Sequence, residues 1–255
     1  MRPQLNPATP ALLNANEISH ALATPYWRVS VVDEIDSTQS TLRASNPSAG
    51  DVLVAEFQSA GRGRLDRTFS APKSSALLFS FYIEPTRTKT EWGFISLLAG
   101  LTVAEVLNNL TGSDSYLTKW PNDILHSGKK VAGLLAEISG DGVILGIGIN
   151  VTMAQAELPV PTATSILLAS NQVINRNTLL STLLNKWEHN FGKWESGADL
   201  RDEYRASSAT LGCEIEISRP DGTSHRGNAI DIDLSGALLL AGGETVTVGD
   251  ISHIR

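Results

Sequence analysis

Hydrophobic and polar positions along the chain fall into patterns that predict most of its elements. Residues 1–15 carry Pro, Asn and Thr without an apolar rhythm and read as a tail, with Asn16 placed to cap a short helix over residues 17–23. Residues 29–35 then read as an apolar strand, with Ser37 or Thr38 as the cap of the next helix. Residues 52–57 form a second apolar run. Residues 76–83 place Leu77, Phe79, Phe81 and Ile83 at alternate positions, the period of a sheet strand. Between residues 90 and 110, Leu97, Leu98, Leu101, Ala104 and Leu107 recur at helical spacing, which predicts the main core helix.

Residues 116–120 and 130–138 follow on either side of Pro121-Asn122-Asp123. Ser139-Gly140-Asp141-Gly142 supplies a hairpin turn into a buried strand over residues 143–151. Asn177 is expected to cap a long helix ending near Trp194, with a shorter helix over residues 200–206. The character then changes. Five short β-rich runs, at residues 214–218, 225–233, 237–240, 244–248 and 251–254, are separated by turns such as Pro220-Asp221-Gly222. The expected class is α+β: a mixed β-sheet with packed helices over residues 29–208, preceded by a tail and short helix over 1–28. A small SH3-like β-barrel is expected over 209–255.

Composition sharpens this picture in three ways. With 42% hydrophobic residues the chain can bury a sizeable core. A net charge of −7 argues against a dedicated nucleic-acid binder but leaves room for one local basic pocket. A single cysteine, Cys213, excludes an intramolecular disulfide, and the N-terminus lacks the apolar stretch of a signal peptide, so a cytoplasmic protein is expected. The apolar runs fall short of the roughly 20 residues that span a bilayer. Neither the cysteine nor the histidines are spaced as metal ligands.

Five segments carry candidate chemistry. Gln58-Ser59-Ala60-Gly61-Arg62-Gly63-Arg64-Leu65-Asp66-Arg67 follows directly on a buried strand. Its glycines let backbone N–H groups approach a ligand, and its arginines offer forked donors to phosphate or carboxylate. The run is neither a P-loop nor a GxGxxG turn, and reads equally as a solvated basic loop. Lys119-Trp120-Pro121-Asn122-Asp123 brings an amide and a carboxylate to a strand end, where they can bind a nucleotide, hold Mg2+ or accept a proton from an amine. On chemistry alone, a turn that caps its own backbone is the simpler reading. In Lys130-Val131-Ala132-Gly133-Leu134-Leu135-Ala136-Glu137, a lysine facing a pocket would stabilise phosphoryl charge, whereas a lysine starting a strand is more often solvated. Gly146-Ile147-Gly148-Ile149-Asn150 presents a smooth face, suited to a planar ligand or to close sheet–helix packing. Ser37-Thr38-Gln39 gathers polar groups at a helix start, as ligand contacts or as a cap.

Together, in order and spacing, these segments resemble the biotin protein ligase family. That family has a serine-threonine-asparagine segment, a GRGRxGR loop, a KWPND segment, a lysine–x–x–glycine strand and a GIGIN-type strand in succession. The matching residues are Ser37-Thr38, Gly61 to Arg67, Lys119 to Asp123, Lys130 to Gly133 and Gly146 to Asn150. Gly227-Asn228-Ala229-Ile230-Asp231 and Ser235-Gly236-Ala237-Leu238 are similar to the family's small barrel, so the likeness runs through residues 29–255. The chain departs from the pattern where Gln39 replaces Asn, Asp66 replaces the glycine of GRGRxGR, and Phe69 replaces an aromatic that is usually Trp.

The resemblance implies a class II synthetase-like ligase domain and a reaction in two halves. Biotin carboxylate attacks the α-phosphate of MgATP to give biotinyl-5′-AMP and pyrophosphate. A lysine on the biotin carboxyl carrier domain of a biotin-dependent carboxylase then attacks the mixed anhydride. It implies Lys130, Arg62 and Asp123 as catalytic residues: Lys130 on the biotin carboxylate and α-phosphate, Arg62 closing over the intermediate, and Asp123 orienting or deprotonating the acceptor lysine. Biotin falls to Ser37, Thr38, Gln39, Gln58, Arg62, Gly63, Arg64, Lys130 and Gly133. The nucleotide falls to Arg64, Arg67, Phe69, Lys119, Asn122 and Asn150. ATP and biotin are substrates, Mg2+ comes with ATP, and no resident metal, nucleic acid or membrane is implied. With residues 1–28 ahead of the first strand, the ligase-only type lacking an N-terminal DNA-binding domain is expected. Monomer and weak dimer both remain open. Two other readings share the fold. A lipoate-type ligase or octanoyltransferase is opposed by the GRGR–KWPND combination, and a non-catalytic biotin or nucleotide sensor is kept open by Gln39 and Asp66.

Overall fold

The computed structural model describes residues 11–64, 67–219 and 222–254. Its elements are α1 (Ala15–His20), β1 (Arg28–Ile35), α2 (Thr38–Ala44), β2 (Asp51–Gln58), β3 (Ala76–Ile83), α3 (Phe94–Thr111), β4 (Tyr116–Lys119), β5 (Asp123–His126), β6 (Lys129–Ser139) and β7 (Gly142–Asn150). There follow α4 (Ile166–Ser170), α5 (Arg176–Glu195), α6 (Arg201–Ala206), β8 (Glu214–Ser218), β9 (Ser224–Ile232), β10 (Leu238–Leu240), β11 (Thr245–Val246) and β12 (Asp250–His253). The first seven strands form one sheet in the order β1-β2-β3-β7-β6-β5-β4. β1 and β2 run parallel across the α2 connection, and the other neighbours are antiparallel, which is the expected mixed sheet.

β3 shows how the two faces divide. Leu77, Phe79, Phe81 and Ile83 enter the main core with α3 and α5, where Phe81 packs edge-on to Trp187 at 5.2 Å. The predicted alternation has the right phase, but the opposite face is covered too. Tyr82 packs with Leu42 of α2, and Ala76 and Leu78 pack with Ala71 and Met153. Ser80, the one serine in that buried run, lies on the α2 side and hydrogen-bonds Thr38. By length and composition α3 could cross a membrane, yet 67% of it is buried in this core, against the sheet and α5.

Two predicted caps are corrected. Asn14, not Asn16, caps α1, and Asn175, not Asn177, caps α5. Asn177 is occupied otherwise. Its Oδ1 accepts from the Asn14 N–H at 2.9 Å, while its Nδ2 donates to the Leu12 carbonyl at 3.1 Å and to Glu17 at 2.9 Å. Residues 11–14, read from sequence as tail, are thereby held down. The physical reason is a buried ion pair, Glu56 with Arg176 at 2.7 Å, whose spare valences take the chain's backbone. Glu56 accepts the Leu13 N–H at 2.6 Å, and Arg176 donates to the Ala11 carbonyl at 2.9 Å.

The C-terminal segment forms the expected small β-domain, consistent with an SH3-like fold. The last five strands form an open antiparallel sheet in the order β11-β10-β9-β8-β12, with no closure among the described residues. Its inner face, including Ile217, Leu238 and Ile251, is continuous with the main core. Trp120 rivets the two parts together: it is buried, its ring N–H donates to the Gly236 carbonyl at 3.0 Å, and its backbone N–H donates to Thr210 at 3.1 Å.

Candidate active site

A cavity of about 340 Å³ opens on the α2 side of the sheet, between the Gly/Arg loop and β12. Its floor is set by strand register. Gly146 of β7 lies between Ser80 and Leu135, and Gly148 lies between Leu78 and Gly133, with Asp123 paired to Gly133 beyond. Three glycines thus stand on one patch, each with a functional side chain lying where its Cβ would be. A Cβ on Gly146 would meet Gln39 Oε1 at 2.2 Å, one on Gly148 the Phe69 ring at 2.7 Å, and one on Gly133 Lys130 Nζ at 3.0 Å. The smooth face lines the cavity and also seats the site's own side chains.

The Gly/Arg loop folds back on itself through Gly63 N–H to Arg67 carbonyl at 2.7 Å and Phe69 N–H to Gly61 carbonyl at 3.0 Å. Asp66, the departure from the family pattern, lies outside the described residues. Arg62, Arg64 and Arg67 line the cavity with Lys119 and Lys130, facing the carboxylates of Asp123 and Asp250. Arg62 pairs with Glu137, and the other four cations face only these two carboxylates, in a chain whose net charge is −7. Lys130 reaches Asp123 at 2.5 Å, and its backbone is fixed by bonds to residues 162 and 164 at 2.8 Å each. Asn122 clamps the KWPND turn to β6, donating to the Leu134 carbonyl at 2.6 Å while its backbone carbonyl accepts from Leu134 N–H at 2.9 Å. Arg64 approaches the Asn122 amide oxygen at 3.5 Å. Arg67 pairs with Asp250, so the C-terminal sheet contributes a wall of the cavity. Burial pushes the Lys119 ammonium down from its ordinary pKa, with Asp123 opposing the shift and Lys130 adding to it. Burial likewise lowers Arg64, against the pull of Asp250 and Asp123. A bound anion would relieve both.

The other end of the cavity is polar and nearly neutral. Ser37 caps α2, and the Thr38 N–H and hydroxyl both donate to Gln58 Oε1, at 2.7 and 2.9 Å. The Thr38 hydroxyl also shares a 2.8 Å hydrogen bond with Ser80. Gln39 donates through Nε2 to Glu137 at 2.8 Å, and Arg62 grips the same carboxylate. Every predicted site residue lines this cavity except Asn150, whose amide is spent on the Thr164 carbonyl at 2.9 Å away from it. Ser80, Glu137 and Asp250 were not singled out from sequence. Ser80 was detectable as the one serine in an otherwise apolar and aromatic strand. Asp250 sits over a hundred positions from its cationic partners and had no local signal.

A cationic end beside a neutral hydrogen-bonding end suits two ligands, one polyanionic and one a neutral polar ring bearing an acid. The model of the biotin/lipoate A/B protein ligase family matches residues 31–153. A biotin–[acetyl-CoA-carboxylase] ligase of Mycobacterium tuberculosis is 39% identical over 241 residues, covering 90% of each chain. A bifunctional ligase/repressor of Bacillus spizizenii is 30% identical, covering 91% of this chain and 75% of that one. Among solved structures, the biotin protein ligase of Aquifex aeolicus in complex with biotin and ATP superposes with a TM-score of 0.79 at 30% identity, over 89% of this chain and 99% of that one.

Proposed function

The chain belongs to the biotin/lipoate A/B protein ligase family, with the biotin protein ligases, and from that premise we propose how its cavity joins biotin to a carrier. The activity is ATP-dependent ligation of biotin, with biotin and ATP as substrates and a carboxylase carrier protein as acceptor. The observation that best supports this assignment to the cavity is its division into a neutral polar end and an end where Arg64, Arg67, Lys119 and Lys130 face only the carboxylates of Asp123 and Asp250.

Biotin's ring system is assigned to Ser37, Thr38, Gln39 and Gln58, whose donors and acceptors match an uncharged ureido group. Its carboxylate is assigned to Lys130 and the Gly/Arg loop. A carboxylate oxygen bonds to the α-phosphorus of ATP, the bond to pyrophosphate breaks, and pyrophosphate leaves. Both reactants are anions, so the main task is electrostatic: Lys130, Arg62, Arg64 and Arg67 offset the repulsion and the charge growing on the phosphoryl oxygens. Lys119, Asn122 and Phe69 are assigned to the nucleotide, and Mg2+ travels with ATP. In the second half the carrier amine bonds to the acyl carbon and the bond to AMP breaks. Asp123 is assigned the amine's proton, since its carboxylate is freed whenever Lys130 turns toward phosphate. A cytoplasmic setting fits a chain with one cysteine, and the acidic net charge disfavours nucleic acid as a partner. A division near residue 208 separates the ligase domain from the C-terminal sheet.

The adenylation half is tested alone by biotin-dependent exchange of labelled pyrophosphate into ATP. Exchange is expected with biotin and absent without it. Exchange driven by lipoate or octanoate instead would overturn the assignment. A substitution probes the floor. Gly146→Ala forces the Gln39 amide out of its seat, and overpacking of this kind costs about 1–3 kcal/mol. Biotin affinity is expected to fall about tenfold as the Gln39 oxygen is displaced, and the melting temperature by several degrees. Unchanged affinity in a titration would show that Gln39 does not contact biotin.

A further inference from the structure

Glu137 of β6 is the point where three donors converge, two of them from the cavity wall. Arg62 makes a paired contact, Nη1 to Oε2 at 2.9 Å and Nη2 to Oε1 at 3.0 Å. Arg43 of α2 places Nη2 at 2.9 Å from Oε2, and Gln39 Nε2 donates to Oε2 at 2.8 Å. The sheet does not need this carboxylate, because β6 is already registered on β7 through Glu137 opposite Ile144. What the carboxylate determines is the direction of two other groups. With Nε2 of Gln39 directed to Glu137 and to the Leu135 carbonyl at 3.3 Å, Oε1 is turned onto Gly146 at the cavity floor. The Arg62 fork, otherwise a long side chain on a glycine-rich loop, is held flat at the cavity rim.

We propose that Glu137 is a positioning residue for the substrate: it fixes the Gln39 oxygen as an acceptor for a ligand N–H, and the Arg62 guanidinium as a cation beside it. The proposal rests on the biotin reading above and adds to it a residue that touches neither biotin nor ATP. An acceptor-only carboxylate is the side chain suited to the task. It can receive from Gln39, Arg62 and Arg43 together, whereas an amide would turn its own N–H bonds toward donors. Arg43 completes the device. It lies on α2 outside the cavity and steadies Glu137 against the pull of the loop.

The test is calorimetric titration of biotin into the full chain, without ATP or carrier. Glu137→Gln is expected to weaken biotin about tenfold, the scale of a lost charge-assisted hydrogen bond. Arg43→Ala, an exposed change that leaves every cavity-lining side chain in place, is expected to weaken it severalfold, with melting temperatures close to that of the unaltered chain. Glu137→Asp is expected to recover part of the loss. A merely structural carboxylate would lower the melting temperature and leave the affinity alone. Unchanged affinity in both Glu137→Gln and Arg43→Ala overturns the proposal, and if Glu137→Gln does not fold, Arg43→Ala decides it. Failure of the unaltered chain to bind biotin would overturn the ligase reading instead, so the two failures are told apart.

Discussion

Lys130→Ala is expected to lower the rate of carrier biotinylation by about 10²–10³-fold, the cost of removing one preorganised donor from a site of developing oxyanion charge. The size follows from how firmly the lysine is placed. Its backbone is tied on both sides to residues 162 and 164, and its side chain lies over Gly133, where any Cβ would crowd it. Its ammonium is 2.5 Å from Asp123, so removal also leaves that carboxylate without its counter-ion and adds negative charge where two anions must meet. The fold is expected to survive, because the Lys130 side chain is 39% exposed and packs in no core cluster. Lys130→Arg is not a conservative rescue, since a planar fork cannot replace a compact ammonium over one glycine. Single-turnover kinetics would separate the halves. The loss should appear in adenylate formation, whereas a loss confined to transfer would reassign Lys130 to the carrier step.

Arg176→Ala is expected to be the most destabilising single substitution, at about 3–5 kcal/mol, the cost of leaving one member of a buried ion pair unpartnered. Arg176 is 2% exposed and Glu56 4%. The guanidinium also holds the Ala76 and Ala11 carbonyls, so β3 and the N-terminal segment lose contacts together. At roughly 2–4 °C per kcal/mol for a chain of this size, the melting temperature should drop by roughly ten degrees. The same pair gives a pH dependence. Burial alone would raise the Glu56 carboxyl, but hydrogen bonds from Arg176, the Leu13 N–H and Ser74 outweigh it and hold its pKa below 4.5. A depressed folded pKa contributes stability that is present above the unfolded value and lost as pH falls through the folded one. Denaturant midpoints should therefore decline below about pH 4.5 in the unaltered chain, and decline less in Glu56→Gln. A small thermal shift for Arg176→Ala would mean that the pair is replaceable by water or by relaxation of the N-terminal segment.

Much of this was legible in the sequence because its signals are local. Period-two alternation located β3, helical spacing located α3, and the order of the Gly/Arg, KWPND, Lys130–Gly133 and Gly146–Asn150 segments brought together nearly the whole cavity. What escaped depends on partners far away in the chain. Asn14 and Asn175 displaced the expected caps because Asn177 is used by the N-terminal segment, and that use exists only once Glu56 and Arg176 are buried together. Asn150 belongs to the right motif but sits at the end of β7, where Thr164 takes its amide. Glu137 was visible as part of a strand, yet its role appears only when α2 and the loop bring Arg43, Arg62 and Gln39 onto it. Spacing also located the strands of the C-terminal SH3-like sheet, but it carries no information on whether the edge strands pair.

The central claim, that this cavity passes biotin to a carrier lysine, is tested most directly by intact mass. The full chain is incubated with biotin, MgATP and a biotin carboxyl carrier domain, and the carrier is weighed. The account predicts a gain of one biotinyl group on a single lysine, dependent on ATP and nearly abolished by Lys130→Ala. A folded chain that leaves several such carriers at their original mass, and forms no biotinyl-5′-AMP, would contradict it.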